Sequence, residues 1–345
     1  MGLNIREIVP RKELDVSGLK GKTLCVDAFN TLYQFLTTIR QADGTPLQDE
    51  EGNITSHLSG IFYRNISLIS EGIKLIYVFD GEPPKLKDKI HKVRGDIRSL
   101  AKEKYDTARD GEDLEDMKRY SSQLIRLNDK MIEESKELLE ALGICVIQAP
   151  SEGESEAAYL SRKEGIYGVV SQDYDSLVFG APVLIRNLTV SRKKKTMSGY
   201  VQVNPEIIFL EEFLKEFEIN LDQLISLAIL VGTDYNPKGI PRIGQKKALK
   251  IVKEYGTPEK IFESLQEKID ELPPEDKFDW KVIFSLFRAP KTKDFGIKFP
   301  VLDFEKIKEI LVKRHQFSEE RINNQLSKIE KLNLSKNQKN LTKWF

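Results

Sequence analysis

Short apolar runs bounded by turn residues alternate along this chain with segments whose apolar residues recur at helical spacing. Residues 22–29, Lys-Thr-Leu-Cys-Val-Asp-Ala-Phe, read as a buried strand ending at Asp27. A helix follows, with Leu32, Phe35, Leu36 and Ile39 on its apolar face. Residues 45–53 are polar and turn-rich, and Thr55-Ser56-His57 opens a second helix carrying Leu58, Ile61, Phe62, Ile66 and Ile69. Residues 74–79 are again a buried strand, ending at Asp80. Strand, acid, helix, strand, acid predicts a βαβ unit and a parallel sheet.

Residues 82–142 break this rhythm. Pro83-Pro84 stops the strand, and a basic helical run follows with Lys85, Lys87, Lys89, Lys92, Arg94, Arg98, Lys102 and Lys104. A longer helix with Tyr120, Leu124, Leu127, Met131, Leu138 and Leu142 at helical spacing then runs to a C′ stop at Gly143. So long a crossover, with one helix too polar for a core, reads as a lid or arch over the strand ends. Residues 143–180 supply two more strands and 183–190 another. Residues 191–196 read as a basic turn, 199–203 as a strand pairing back in a hairpin, 205–231 as helix, and 258–333 as mostly helical. Residues 239–244, Gly-Ile-Pro-Arg-Ile-Gly, join two helices, and from Asn333 the chain is polar with few structure signals until Leu341.

The chemistry lies at the strand ends. Asp27, Asp80, Glu152, Glu154, Asp173 and Asp175 all follow strand-like runs, and the last four form two i, i+2 pairs. Taken singly, an acid at a strand end is a turn former or helix cap, and Ser151 to Glu154 has the form of a capping box. Four strands ending in acids exceed what turns require. Asp234, after an apolar helix whose dipole disfavours an anion, adds to the set. In an open α/β sheet, ligands sit beyond the carboxyl ends of the strands, and crowded carboxylates there call for hard divalent cations. The three histidines, His57, His91 and His315, lie outside these motifs, so Mg²⁺ or Mn²⁺ is the expectation. Two such ions fit phosphodiester hydrolysis.

Composition only trims the alternatives. The 345 residues are 31% charged with formal net charge zero, so phosphate binding must be local. Cys25 and Cys145 sit inside apolar runs without zinc spacing, as in a reduced, cytoplasmic protein. The start has no signal-peptide pattern, and no apolar stretch is long enough to span a membrane. The Gly239–Gly244 hairpin exposes backbone N–H groups, and Lys246, Lys247 and Lys250 follow it, which suits sequence-independent duplex binding. Against that stands an ordinary helix–turn–helix corner. Tyr33 is placed to stack on a base; the competing reading is core.

In their order, these residues resemble flap endonucleases of archaeal type, in the XPG-like structure-specific 5′ nuclease family. The resemblance rests on Val26-Asp27-Ala28 with residues 32–36, on 55–64, on Tyr77-Val-Phe-Asp80-Gly-Glu-Pro-Pro84, on 149–154, on Ser171-Gln-Asp-Tyr-Asp175, and on Gly232-Thr-Asp234 leading into the hairpin. It implies an α/β, PIN-like parallel-sheet nuclease domain with a helical arch and a helix-hairpin-helix segment that binds K⁺ and duplex DNA. It implies that Asp27, Asp80, Glu152, Glu154, Asp173, Asp175 and Asp234 hold two metal ions. Lys87 and Arg94 match arch-base positions that grip the scissile phosphate. Tyr33 matches the base-stacking position, and Arg40, Arg64, Gly232, Glu152, Asp234, Gly239, Gly244, Lys246 and Lys247 fall at DNA contacts. Residues up to about Leu19 fit the pattern poorly, and Pro241-Arg242 departs from it.

The tail, with Gln338, Leu341, Trp344 and Phe345, resembles a sliding-clamp-binding motif that presents its apolar residues from one helical turn. The expected layout is an N-terminal nuclease region at 1–105, the arch at 82–142, an internal region at 118–258 with the helix-hairpin-helix at 232–256, C-terminal helices at 259–333 and the clamp tail at 338–345. The expected activity is divalent-metal-dependent cleavage of DNA 5′ flaps with 5′→3′ exonuclease action in replication and repair, by a monomer. A PIN-type ribonuclease and a catalytically silent, clamp-recruited DNA scaffold are the alternatives.

Overall fold

The computed structural model describes residues 3–41, 44–87, 99–102, 104, 105, 107, 124, 126–190, 193–196 and 199–341. Among them, seven strands form one sheet: β1 (Lys12–Glu13), β2 (Thr23–Asp27), β3 (Lys74–Phe79), β4 (Cys145–Gln148), β5 (Gly168–Val170), β6 (Val183–Arg186) and, after a separate hairpin of β7 (Lys193–Thr196) and β8 (Gly199–Gln202), β9 (Glu206–Phe209). The order is β1-β9-β6-β5-β2-β3-β4. The five strands from β6 to β4 are parallel, while β9 and β1 add antiparallel at one edge.

The strands are apolar throughout because both faces of the sheet are covered. Successive side chains point to opposite faces. Cys25, Ile76, Val78 and Ile147 therefore enter one core, while Leu24, Val26, Tyr77 and Phe79 enter the other. The second core is closed by α1 (Ala28–Thr38), α2 (Ser56–Ser70) and α3 (Asp129–Ala141). The first is closed by α4 (Gly153–Leu160), α5 (Asp175–Val178), α6 (Leu210–Phe217), α7 (Leu221–Val231), α8 (Gln245–Tyr255), α9 (Pro258–Glu263), α10 (Gln266–Asp270) and α11 (Trp280–Arg288). The chain then returns through extended residues 289–303 to α12 (Phe304–Lys308) and α13 (Glu319–Leu341), which close the second core. The hydroxyl of Tyr77 donates to Asn65 Oδ1 at 2.9 Å, locking α2 onto β3 inside that core.

Several expectations need correction. Residues 205–231 do not form one helical stretch: β9 comes first and pairs with β6, because Ile207 and Ile208 face opposite cores. The strand expected over 183–190 ends at Arg186, where Asn187 takes φ 61°. The basic turn at 191–196 is in part a strand, Lys193–Thr196, and Gly199–Gln202 pairs with it in a separate hairpin and not, as expected, with the strand at 183–186. Of the longer helix expected from Tyr120 to Leu142, Tyr120 lies outside the described residues and residues 126–128 are not helical; α3 opens at Asp129, where the Asn128 side chain accepts from Met131 N at 2.8 Å and caps it. Its stop at Gly143, φ 76°, is as expected. Residues 333–341 continue α13 rather than loosening. Most of the basic run 85–104, Arg94 included, lies outside the described residues.

Candidate metal centre and its DNA-facing surroundings

Parallel pairing sets the ends of β5, β2, β3 and β4 side by side on one edge of the sheet. Asp27 closes β2 and caps α1, its Oδ1 accepting from Asn30 N at 3.0 Å and its Oδ2 from Ser171 Oγ at 3.3 Å. Asp80 follows β3 and accepts from Gly153 N at 2.6 Å. Only glycine admits that approach, since a Cβ at position 153 would lie 2.9 Å from Asp80 Oδ1 and from Val78 O. Asp80 thus satisfies the first N–H of α4, and Glu152, the capping residue by position, makes no side-chain cap bond. The capping box expected of Ser151 and Glu154 does not form; the Ser151 hydroxyl donates instead to Glu82 O at 3.2 Å.

Glu154 projects from the first turn of α4, and Asp173 and Asp175 come from the turn after β5. These three offer carboxylate oxygens all within 4.8 Å of one another. Asp173 Oδ2 accepts from Asn30 Nδ2 at 2.9 Å, and Ser171 Oγ donates toward Glu154 Oε1 at 3.4 Å. Asp175 Oδ2 accepts from Leu3 N at 3.4 Å, while its Oδ1 is buried without a hydrogen-bond partner. Glu152 stands beside this group, its Oε1 paired with Lys87 Nζ and its Oε2 accepting from the Tyr235 hydroxyl. Asp234, in the loop after α7, is 3.8 Å from Lys87 Nζ.

Electrostatics show the cost of this crowding. Burial, then the neighbouring Asp80, pushes Asp27 up to about 7. Burial, then Asp173 and Asp234, pushes Asp175 to about 7 as well. Glu154 is raised well above the carboxylate range by burial, Asp175 and Asp27. Burial also raises Asp80 and Asp173. Burial alone would lower Lys87, but Glu152 and Asp234 carry it above its ordinary value. Without added positive charge, burial and mutual repulsion oppose ionising all of these acids together. An all-oxygen donor set with a buried, unpartnered Asp175 oxygen fits a hard divalent cation, which Glu154, Asp173 and Asp175 could hold.

The other singled-out residues surround this centre. Tyr33, on α1, is 38% exposed, so it is not core. Arg40 turns back on its own loop, donating to Gly44 O at 2.6 Å and Thr37 O at 3.0 Å, and Arg64 is half-buried on α2. Gly232 takes φ 114°, and a Cβ there would lie 2.8 Å from Pro237 O. Gly239 takes φ 56°, and Gly244 is the N-cap of α8. Within this hairpin Arg242 adopts φ 63°, a left-handed conformation that strains a side-chain-bearing residue. Ile240 and Ile243 anchor the hairpin in the core, leaving exposed Lys246, Lys247 and Lys250 on α8. Lys246 pairs with Glu7 at 3.2 Å. Gln338 and Leu341 lie on the last turns of α13; Arg94, Trp344 and Phe345 lie outside the described residues.

Four contributors escaped the sequence reading. Asn30 and Ser171 cross-link Asp27, Glu154 and Asp173; Asn30, three residues after Asp27 at a helix start, is the one position that spacing could have flagged. Leu3 brings the opening segment, read as fitting the pattern poorly, against Asp175. Tyr235 reaches Glu152 across 83 positions of sequence, which no local signal announces.

The comparisons with known proteins agree with this geometry. The XPG N-terminal domain model matches residues 4–101 and the XPG I-region model residues 143–234. Flap endonuclease 1 of Thermococcus onnurineus is 47% identical over 348 residues, covering 100% of this chain and 99% of that protein. Flap endonuclease 1 of Aeropyrum pernix is 44% identical and covers 100% of both. The solved flap endonuclease-1 from Methanococcus jannaschii superposes with TM-score 0.74 at 38% identity, covering 97% of this chain and 100% of that one. The catalytic core of Rad2 in complex with DNA substrate, 22% identical with TM-score 0.66, shares the fold. With an acid cluster at the edge of a parallel sheet and full-length identity at this level, the chain belongs to the flap endonuclease 1 family of XPG-type nucleases.

Proposed function

We propose that this chain is a divalent-metal-dependent endonuclease that cuts DNA 5′ flaps where single strand meets duplex, with associated 5′→3′ exonuclease action in replication and repair. The observation that carries this reading is the convergence of Glu154, Asp173 and Asp175 within 4.8 Å, ringed by Asp27, Asp80, Glu152 and Asp234. Two Mg²⁺ ions, or Mn²⁺ in their place, supply Lewis-acid charge to the phosphodiester and activate water for its hydrolysis when bound by these carboxylates. Lys87, whose ammonium sits between Glu152 and Asp234, is assigned to grip the reacting phosphate from the base of the arch. Arg94 is assigned the same task. Tyr33, exposed on α1, offers a ring to the base beside the cut. Arg40, Arg64, Gly232 and the Gly239–Gly244 hairpin with Lys246 and Lys247 hold the duplex by its backbone, with K⁺ at the hairpin. A PIN-type ribonuclease has no use for a duplex-binding hairpin, and a silent scaffold none for a full set of acids.

Residues 1–105 and 118–258 are assigned to the nuclease regions, 82–142 to the arch, about half of which lies outside the described residues, and 259–333 to the C-terminal helices. The chain is taken to act as a monomer in the cytoplasm. The tail at 338–345 is assigned to a sliding clamp.

Asp173→Asn tests the metal reading. It removes a charge from the crowded set, so flap cleavage in Mg²⁺ should fall more than about 100-fold while flap binding persists. Removing one of several repelling carboxylates should also raise the melting temperature of the metal-free protein. Cleavage at the wild-type rate in saturating Mg²⁺ removes Asp173 from the centre.

Lys246→Ala combined with Lys247→Ala should weaken duplex binding for every sequence. It should also flatten the slope of log K against log salt by about 2, roughly one for each lost phosphate contact. An unchanged slope over a salt series leaves the hairpin a simple helical corner.

Deleting residues 338–345 should leave basal flap cleavage intact and remove stimulation by a sliding clamp. Buried aromatic anchors dominate such contacts, and a 338–345 peptide should bind the clamp at about micromolar strength, near −8 kcal/mol. No heat of binding in calorimetry defeats the assignment, as does loss of clamp-free cleavage in the truncated protein.

A further inference from the structure

Glu152 occupies the N-cap position of α4, yet its side chain makes no cap bond to its own helix. Its two oxygens go to side chains from distant parts of the chain: Oε1 to Lys87, just after β3, and Oε2 to the hydroxyl of Tyr235, just after Asp234. Tyr235 touches both partners, because the Lys87 ammonium lies 5.6 Å from the centroid of its ring. The ring itself is fixed from behind. It meets Phe287 of α11 edge-on at 5.4 Å, and Phe287 rests on Phe179 at 4.8 Å. The Tyr235 backbone N–H donates to Thr233 Oγ1 at 3.1 Å within the same loop.

A purely structural aromatic at this place needs no hydroxyl: Phe would keep the contact with Phe287 and the platform under Lys87. The hydroxyl is aimed at the one Glu152 oxygen that Lys87 leaves over. A phenol is protonated at neutral pH, so the hydroxyl donates and the Glu152 carboxylate accepts. We propose that Tyr235 is a positioning residue of the reaction, its hydroxyl fixing the Glu152 carboxylate for metal binding and its ring seating the Lys87 ammonium. This rests on the assignment of Glu152 to the metal centre made above. It also gives the loop that opens the Gly232–Gly244 hairpin a direct connection to the acid cluster, through a residue adjacent to Asp234.

The two halves of the role separate in two variants. Tyr235→Phe loses only the hydroxyl. Calorimetry of Mg²⁺ binding to the DNA-free protein should show affinity reduced about 10-fold, the size typical of losing a partner that orients a metal ligand. Single-turnover flap cleavage should return toward the wild-type rate as Mg²⁺ is raised, with the melting temperature close to wild type. Tyr235→Leu loses the ring as well, and its cleavage should retain a deficit that Mg²⁺ does not repair, like that of Lys87→Ala. If Tyr235→Leu folds poorly, a cycle with Glu152→Gln carries the test. The hydroxyl acts through Glu152, so adding Tyr235→Phe to Glu152→Gln should cost no further Mg²⁺ affinity. Wild-type Mg²⁺ affinity in Tyr235→Phe overturns the inference, and so does an equal additional loss in the Glu152→Gln background. Asp175→Asn is the control: if that variant also binds Mg²⁺ as the wild type does, it is the metal assignment that fails and not the role of Tyr235 alone.

Discussion

Burying several carboxylates within a few ångströms of one another is costly, and this fold does so at the ends of four adjacent parallel strands. Asp27 and Asp175 sit near pKa 7 because burial and their neighbours oppose ionisation. Much of the surrounding structure works to keep the group assembled despite that repulsion. Asn30 and Ser171 bridge acids from different strands, Gly153 lets Asp80 reach the start of α4, and Leu3 donates a backbone N–H to Asp175. The two cores on either face of the sheet supply the apolar burial that holds these loops in place. A protein arranged only for stability would replace such a cluster; one that binds cations there gains from it.

The ends of β2 and β3 were legible in the sequence because each is a short apolar run with an acid at its close, Asp27 and Asp80. Period-two patterning was hidden by double-sided burial, but the apolar runs at 22–27 and 74–79 sufficed to place Asp27 and Asp80. Parallel order then follows from the βαβ rhythm. Errors fell where a local signal had two readings. Ser151 to Glu154 has every feature of a capping box, yet Asp80, distant in sequence, takes the N–H that the box would have used. Residues 205–231 looked helical because the four residues of β9 are too few to show alternation before α6 begins. The segment beyond Asn333 is polar enough to look unstructured, although α13 is anchored through Ile322, Leu326 and Ile329 and continues to Leu341.

Contacts that tie remote segments were not legible at all. Tyr235 stands next to a recognisable acid, but its hydroxyl partner is set by the packing of α11 behind its ring. The buried His315, between Asp49 at 2.8 Å and Glu134 at 3.3 Å, likewise joins the loop before α2 to α3. Hydrogen bonds from His315 and Asn53 overcome the effect of burial and bring Asp49 down to about 2. Such clamps set the distances between parts that sequence motifs identify one at a time.

On the proposed function, the acid cluster exists to hold divalent cations. The most direct measurement is anomalous scattering from crystals of this protein soaked in Mn²⁺. A peak among the carboxylates of Glu154, Asp173 and Asp175 is the predicted result. Full-strength Mn²⁺ sites elsewhere, with no anomalous density between these three side chains, would contradict it.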